Sequence, residues 1–222
     1  MEDKRSVITD HEPVNDHTTG FFALEFARVQ NSFDHLSVEE KRKNMRRWIH
    51  AVKHQKPSNI PAPTPVEDGI LRLTQLHKTD PRDVFAGLIV GCCMHPQGWA
   101  AVCAWHGHES PDGAFWVVER YGVIVAAAWV WRCEDNLVID SVEINDKQVS
   151  TARIHPMYIQ AAASVLDEKI TRVYAGTGYN DSWIPASENC LIRPFPAPVY
   201  YRYKEQFMDD SHFAHIIADK WE

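Results

Sequence analysis

The sequence predicts a mixed α/β (α+β) fold: a mostly antiparallel central sheet flanked by helices, with a helical extension at the N-terminus. Three observations carry that expectation. Residues 113–144 contain three apolar runs rich in Val, Ile, Ala and Trp, separated by short turns, the pattern of an antiparallel meander. The meander is followed by a helical stretch and then by another short strand, at 170–175. Before it, residues 57–66 (PSNIPAPTPV) hold four prolines and read as a stiff, extended connector. The expected organisation is an N-terminal arm and helical extension over 1–56, a Pro-rich linker over 57–66, and one α/β domain over 67–222.

Composition narrows the class. Of 222 residues, 45% are hydrophobic, enough to bury a core without disulfides. The formal net charge is −7, which argues against a protein whose main task is gripping a duplex through its phosphates. No apolar run approaches the roughly 18 residues of a membrane span, so no membrane partner is expected. The N-terminal MEDKRSVITD lacks the apolar centre of a secretory signal. Five cysteines, an odd number, then read as reduced thiols, and the expected location is the cytoplasm.

The elements follow in order. Residues 1–20 are polar and unpatterned, and Phe21, Phe22, Leu24, Phe26 and Val29 begin a helical cluster. Ser37 and Glu40 form a capping box that starts a helix over 38–54. Met45, Trp48, Ile49 and Val52 share one face of it, and Lys41, Arg42, Lys43, Arg46, Arg47 and Lys53 the other. That basic stripe is either a solvated face or a docking surface for nucleic acid or an acidic protein. A strand is expected over 70–76. Asp80 and Pro81 supply an N-cap and first helical residue for a short helix through Val84, Phe85, Leu88 and Ile89. Residues 100–105 suit a second short helix. Strands follow at 113–119, 123–132 and 137–144, joined by turns at Tyr121-Gly122 and Glu134-Asp135-Asn136. Pro156 opens a helix through Met157, Ile159, Ala161, Val165 and Leu166. A closing strand is expected at 199–203. Residues 206–222 read as an acidic amphipathic helix, with Phe213, Ile216 and Ile217 packing on the sheet or on a second copy in a homodimer.

The run GAFWVVERYGVIVAAAWVWRCEDNLVIDSVEIN, with the element order over 70–203, resembles the GNAT superfamily of acyl-CoA-dependent N-acyltransferases, and the CC-x-H…C-x2-HG…SP-x-G run from Cys92 to Gly113 resembles phage and bacterial GNAT-like proteins. The resemblance implies transfer of an acyl group from acetyl-CoA, or another thioester or ester donor, to an amine on a macromolecule or small molecule. It places Ala126, Ala127 and Ala128 on the central small-residue strand, and Asp140 and Glu143 on the strand facing the cleft. It gives the backbone N–H groups of Ser141 and Val142 the task of polarising the thioester carbonyl. Tyr179 or Tyr174 would protonate the departing thiolate, Tyr179 being the one on a loop. The family's Gly-rich pyrophosphate turn is replaced here by residues 146–156, DKQVSTARIHP, which contain no glycine. Gln148, Ser150, Thr151, Arg153 and the helix N-terminus stand in that place.

Strict alternation on LVIDSVEIN puts Asp140 and Glu143 on opposite faces unless a bulge intervenes. Glu143, nearer the strand end, is the expected general base; the alternative is a solvent-facing carboxylate. Between 92 and 108 fall Cys92, Cys93, His95, Cys103, His106 and His108. Cys103 and His106 lie at i, i+3, and with Cys93 and His95 they form a candidate zinc or iron site. The competing readings are buried structural cysteines beside a polar loop, or a nucleophilic Cys93 or Cys103. Gly176 and Gly178 flank a strand end where backbone can approach a ligand. Trp129 and Trp131 share a strand face and read as core, whereas Trp99 and Trp183 fall on loops and could line a planar-substrate pocket. Three functional readings stand: an acyltransferase, a non-catalytic binding or inhibitory protein on the same scaffold with metal support, and a nucleic-acid base-modifying enzyme.

Overall fold

A computed structural model of the chain describes residues 37–80, 82–98, 100–146, 149–176, 193–194 and 213–221. These residues belong to one compact unit, Leu36–Glu222. Helix α1 (Val38–Lys53) opens on the capping box read from the sequence: the Glu40 N–H donates to Ser37 Oγ, and the Ser37 N–H donates to Glu40. The Pro-rich segment after it forms neither helix nor strand before Val66, and it is packed against the domain. Ile60 is buried, the Asn59 N–H donates to the Pro111 carbonyl, and the Thr64 N–H donates to Ser164 Oγ.

Strands β1 (Val66–Asp68), β2 (Leu71–Gln75), β3 (Gly113–Arg120), β4 (Val123–Cys133), β5 (Asn136–Ile139), β6 (Glu143–Ile144), β7 (Arg172–Gly176), β8 (Arg193–Pro194) and β9 (Phe213–Asp219) form one sheet. Its order is β1-β2-β3-β4-β5-β7-β9-β8, with β6 on β4. Every pairing is antiparallel except β5 with β7. A parallel pair needs a long crossover, and helix α4 (Thr151–Ser164) provides it. The β3–β4 turn is Tyr121-Gly122, with φ of 53° and 79°; two positive values match the right-handed twist of a two-residue hairpin. This is the mixed, mostly antiparallel architecture that the sequence predicts.

Both faces of β3 and β4 are covered, which is why these strands read as nearly unbroken apolar runs. On one face Trp116, Val118, Ala126, Ala128 and Val130 pack with Ile154, Tyr158 and Ala161 of α4. The Tyr158 hydroxyl donates to the Trp116 carbonyl at 2.8 Å, so the buried phenol is satisfied. On the other face Phe115, Val117, Ala127, Trp129 and Trp131 pack under two short helices, α2 (Ala86–Ile89) and α3 (Ala101–Glu109). Trp129 and Trp131 are core, as expected, with ring centroids 4.1 Å apart.

Several elements differ from expectation. Helix α2 begins at Ala86, not after Asp80, because residues 80–86 form successive i→i+3 turns. There the Asp80 carboxylate holds the Arg82 N–H and guanidinium in place of capping a helix. Helix α4 starts at Thr151, so Pro156 lies inside it; the first turn needs no proline because Ser150 is already extended as N-cap. The hairpin partner of β2, strand β1, had not been anticipated. Within the C-terminal segment expected as an amphipathic helix, Phe213–Asp219 is a strand: β9 pairs with β7 from Arg172↔Asp219 to Gly176↔Ala214 and covers an edge that would otherwise stand open, while residues 206–212 lie outside the described residues. The helical cluster from Phe21 and the strand at 199–203 lie outside the described residues.

Candidate functional site

The site is made by one extra residue. β4 and β5 pair regularly up to Val130↔Ile139, and the Asp140 N–H still donates to the Trp129 carbonyl at 2.9 Å. Pairing resumes with Ala127↔Glu143 and Ala126↔Ile144. From Val130 to Ala127 β4 advances three residues while the facing chain advances four, from Ile139 to Glu143. That is a β-bulge, and it reverses the alternation beyond it. Asp140, opposite Trp129, and Glu143, opposite Ala127, therefore come to the same side of the sheet, the side covered by α2 and α3.

The two carboxylates have different surroundings. Asp140 is 8% exposed, and its Oδ2 has no hydrogen-bond partner among the described residues. Burial pushes its carboxyl up to about 7; a hydrogen bond from the Ser141 N–H opposes this, and the nearby Glu143 adds to it. Glu143 is half-buried and accepts from Ser141 Oγ at 3.0 Å. The Val142 side chain is fully buried, while its N–H, freed from the ladder by the bulge, has no partner among the described residues. At the end of β7, a Cβ built on Gly176 would stand 3.3 Å from Asp140 Oδ1, so a bare glycine lets that strand close on the carboxylate.

Thiols approach the same place. Cys103 is buried on the inner side of α3, and burial, followed by Asp140 and Cys93, pushes its thiol well up. Cys92 hydrogen-bonds to its neighbour Cys93; that bond, then burial, pushes the Cys92 thiol up, while the same bond lowers Cys93. The expected metal cluster of Cys93, His95, Cys103 and His106 does not assemble: among the described residues no group of three or more His, Cys, Asp or Glu side chains could hold an ion. The His106 ring instead packs edge-on against Trp129, 5.6 Å between centroids, in the same core that holds Cys103. Burial, with Lys78 next, pushes that imidazole down to about 4, and it serves as a neutral packing group.

The residues expected at the pyrophosphate position divide. Ser150 is the N-cap of α4, its side chain makes no capping bond, and Thr151 beside it is exposed. Arg153 is engaged elsewhere: its Nε donates to Asp68 Oδ2 at 2.7 Å, and a second nitrogen donates to the Asp68 carbonyl. Gln148 and Tyr179 lie outside the described residues, as do Trp99, Gly178 and Trp183. Tyr174 of β7 packs on the α2/α3 side.

Sequence reasoning missed a buried polar group nearby. His108 Nδ1 lies 2.9 Å from Asp83 Oδ2, and Lys78 Nζ lies 3.9 Å from the same oxygen. Lys78 Nζ also donates to the Gly107 and Gly113 carbonyls, tying the last turn of α3 to the start of β3. All three side chains are buried. In sequence they sit among the polar turn residues KTDPRD and the His-rich end of a helix, and no spacing sets them apart from solvated groups.

No protein-family model matches the chain, and no curated protein matches it. Similar solved structures include a crystal structure assigned to the GNAT acetyltransferase family from Desulfovibrio desulfuricans, with 11% identity and a TM-score of 0.38, covering 67% of this chain and 99% of that one. A tandem GNAT protein of the clavulanic acid biosynthesis pathway shares 13% identity at a TM-score of 0.33, covering 61% of this chain and 42% of its own. A GCN5-related N-acetyltransferase from Brucella melitensis shares 15% identity at a TM-score of 0.32, covering 70% and 71%.

Proposed function

We propose that this chain is an acyltransferase that moves an acyl group from a thioester donor to an amine at the β5–β6 bulge. The observation that carries the reading is the bulge itself, which sets a buried carboxylate, a second carboxylate and a free backbone N–H beside one another. Asp140, raised to about 7, is matched to accept a proton from an attacking ammonium-derived amine near neutral pH. This moves the role of general base from Glu143 to Asp140, with Glu143 and Ser141 orienting the amine. The Val142 N–H donates to the oxyanion that forms as the amine adds to the thioester carbonyl. Collapse of that adduct breaks the C–S bond, and the thiolate leaves with a proton from Tyr179, the role the family resemblance gives that residue.

For a donor carrying phosphates, such as acetyl-CoA, the N-terminal turn of α4 offers Ser150 Oγ and free backbone N–H groups. It offers no free guanidinium, since Arg153 is paired with Asp68. The test is product formation from acetyl-CoA and longer acyl-CoA donors with a panel of amines, alongside thermal shift with each donor. A donor at a hundred times its dissociation constant stabilises the fold by about 2.7 kcal/mol. Absence of both product and shift with every donor overturns the proposal.

A further inference from the structure

We infer that the outer face of helix α1 is a docking surface for single-stranded RNA, a reading that stands independently of acyl transfer. Helix α1 has two faces. Asn44, Trp48, Ala51 and Val52 are half-buried and turn toward the domain. Arg42, Lys43, Arg46, His50, Lys53 and His54 are all exposed. At roughly 100° per residue those six fall within an arc of about 120°. None of the four Lys and Arg side chains makes an ion pair among the described residues, and the one opposing carboxylate within the arc is Glu39, in the first turn. The whole chain carries a net charge of −7, so this concentration of positive charge runs against the average of the molecule. A solvated helix in an acidic protein has no need of it.

The helix is held in place. Arg47, at the border of the stripe, makes a fork to both carboxylate oxygens of Glu109 at 2.5 and 2.6 Å. Its guanidinium lies over the Trp105 ring, 4.1 Å from the centroid. The paired arginine thus keys α1 to α3, the helix whose inner side carries Cys103 close to Asp140, and leaves the other cations facing outward. The stripe from Arg42 to Lys53 is about 17 Å long at about 1.5 Å per residue, long enough to meet several successive phosphates.

Two features favour a nucleic-acid strand over an acidic protein, and a single strand over a duplex. Cations recur at i, i+3 and i, i+4 along one line, which suits a repeating anion better than scattered carboxylates. The exposed rings of His50 and His54 lie 4.4 Å apart beside that line. Flat rings next to cations suit unstacked bases, and RNA is the nucleic acid commonly met with exposed single-stranded bases.

The test is fluorescence anisotropy with the full chain and a labelled single-stranded RNA of about 20 nucleotides, compared with its duplex and with an oligoglutamate peptide. Four cations on a single strand give a slope of log affinity against log salt of about −3. The triple variant Arg42→Glu, Arg46→Glu, Lys53→Glu is expected to lose about 100-fold or more in affinity, and His50→Ala with His54→Ala about tenfold with the slope unchanged. Should the triple variant fail to fold, Arg46→Gln alone must reduce the slope by about 0.7. The inference is overturned by lack of saturable binding at about 50 mM salt, by equal binding of the duplex, by tighter binding of oligoglutamate, or by charge variants that bind as the parent does.

Discussion

Replacing Asp140 by Asn tests the site and the fold in one experiment. Burial holds this carboxyl near 7, well above the ordinary aspartate value of 3.8, so the folded chain binds the proton more tightly than the unfolded chain. Between those two pH values the native state carries the extra proton. Stability is therefore highest below about pH 4 as far as this group is concerned, and falls as pH rises through 7. An interval of about three pH units corresponds to about 4 kcal/mol at 1.36 kcal/mol per unit. Asparagine keeps the shape and the acceptor for the Ser141 N–H but has no proton to lose. Urea unfolding of both proteins at pH 5 and pH 8.5 isolates the effect, because every other titrating group cancels in the comparison. Only the two units from pH 5 to about 7 fall inside that comparison, so the variant is expected to gain on the parent by about 2–3 kcal/mol as pH is raised. Under the proposed mechanism it also loses about 10²–10⁴ in turnover, and the parent's rate rises with pH around 7. A stability difference that is flat in pH would refute the argument that burial raises the Asp140 carboxyl at the bulge, whatever happened to activity.

Three further perturbations follow from the same geometry. Asp83→Ala leaves Lys78 and His108 buried without their shared carboxylate and is expected to cost about 3–5 kcal/mol in urea unfolding, whereas an exposed ion pair such as Arg72–Glu67 is worth under about 1 kcal/mol. Gly107→Ala puts a methyl 2.4 Å from the Phe115 ring and is expected to lower stability by about 1–3 kcal/mol, read as a fall in Tm. Ser37→Ala removes the cap of α1 and costs about 1 kcal/mol of local stability, read by hydrogen exchange of the first-turn amides; unchanged exchange there would sink the capping argument.

What could be read in advance was whatever a short stretch of chain decides for itself. The Ser37–Glu40 box, the Tyr121-Gly122 turn and the paired strands around it are local, and all three are present where their residues place them. The C-terminal strand was misread because seven residues of mixed apolar character carry no decisive period, and the edge of β7 settles the matter from elsewhere in the fold. The metal cluster was misread because spacing on a helix fixes which residues share a side, not whether that side meets the two other ligands. The Lys78–Asp83–His108 group was invisible for the opposite reason: nothing in the sequence distinguishes a polar residue that solvent keeps from one that the fold buries.

The bulge lies between these cases: both carboxylates are recognisable in the sequence, but the different depths at which they lie are not. Alternation correctly puts Asp140 and Glu143 on opposite faces of an unbroken strand, and no composition marks the inserted residue. Once one residue is inserted, both carboxylates come to the same face, but at different depths. Asp140 is still bonded to β4 through its N–H and lies close to β7 at Gly176, where it is buried. Glu143 belongs to a two-residue strand at the rim and keeps a hydroxyl partner. Depth is what lets Asp140 titrate near neutrality, since desolvation raises a buried carboxyl. A Gly176→Ala substitution, which pushes on Asp140 Oδ1, should therefore perturb the rate–pH profile, and a Glu143→Gln substitution should lower the rate and move the inflection below 7, because the charge that adds to the rise of Asp140 is gone.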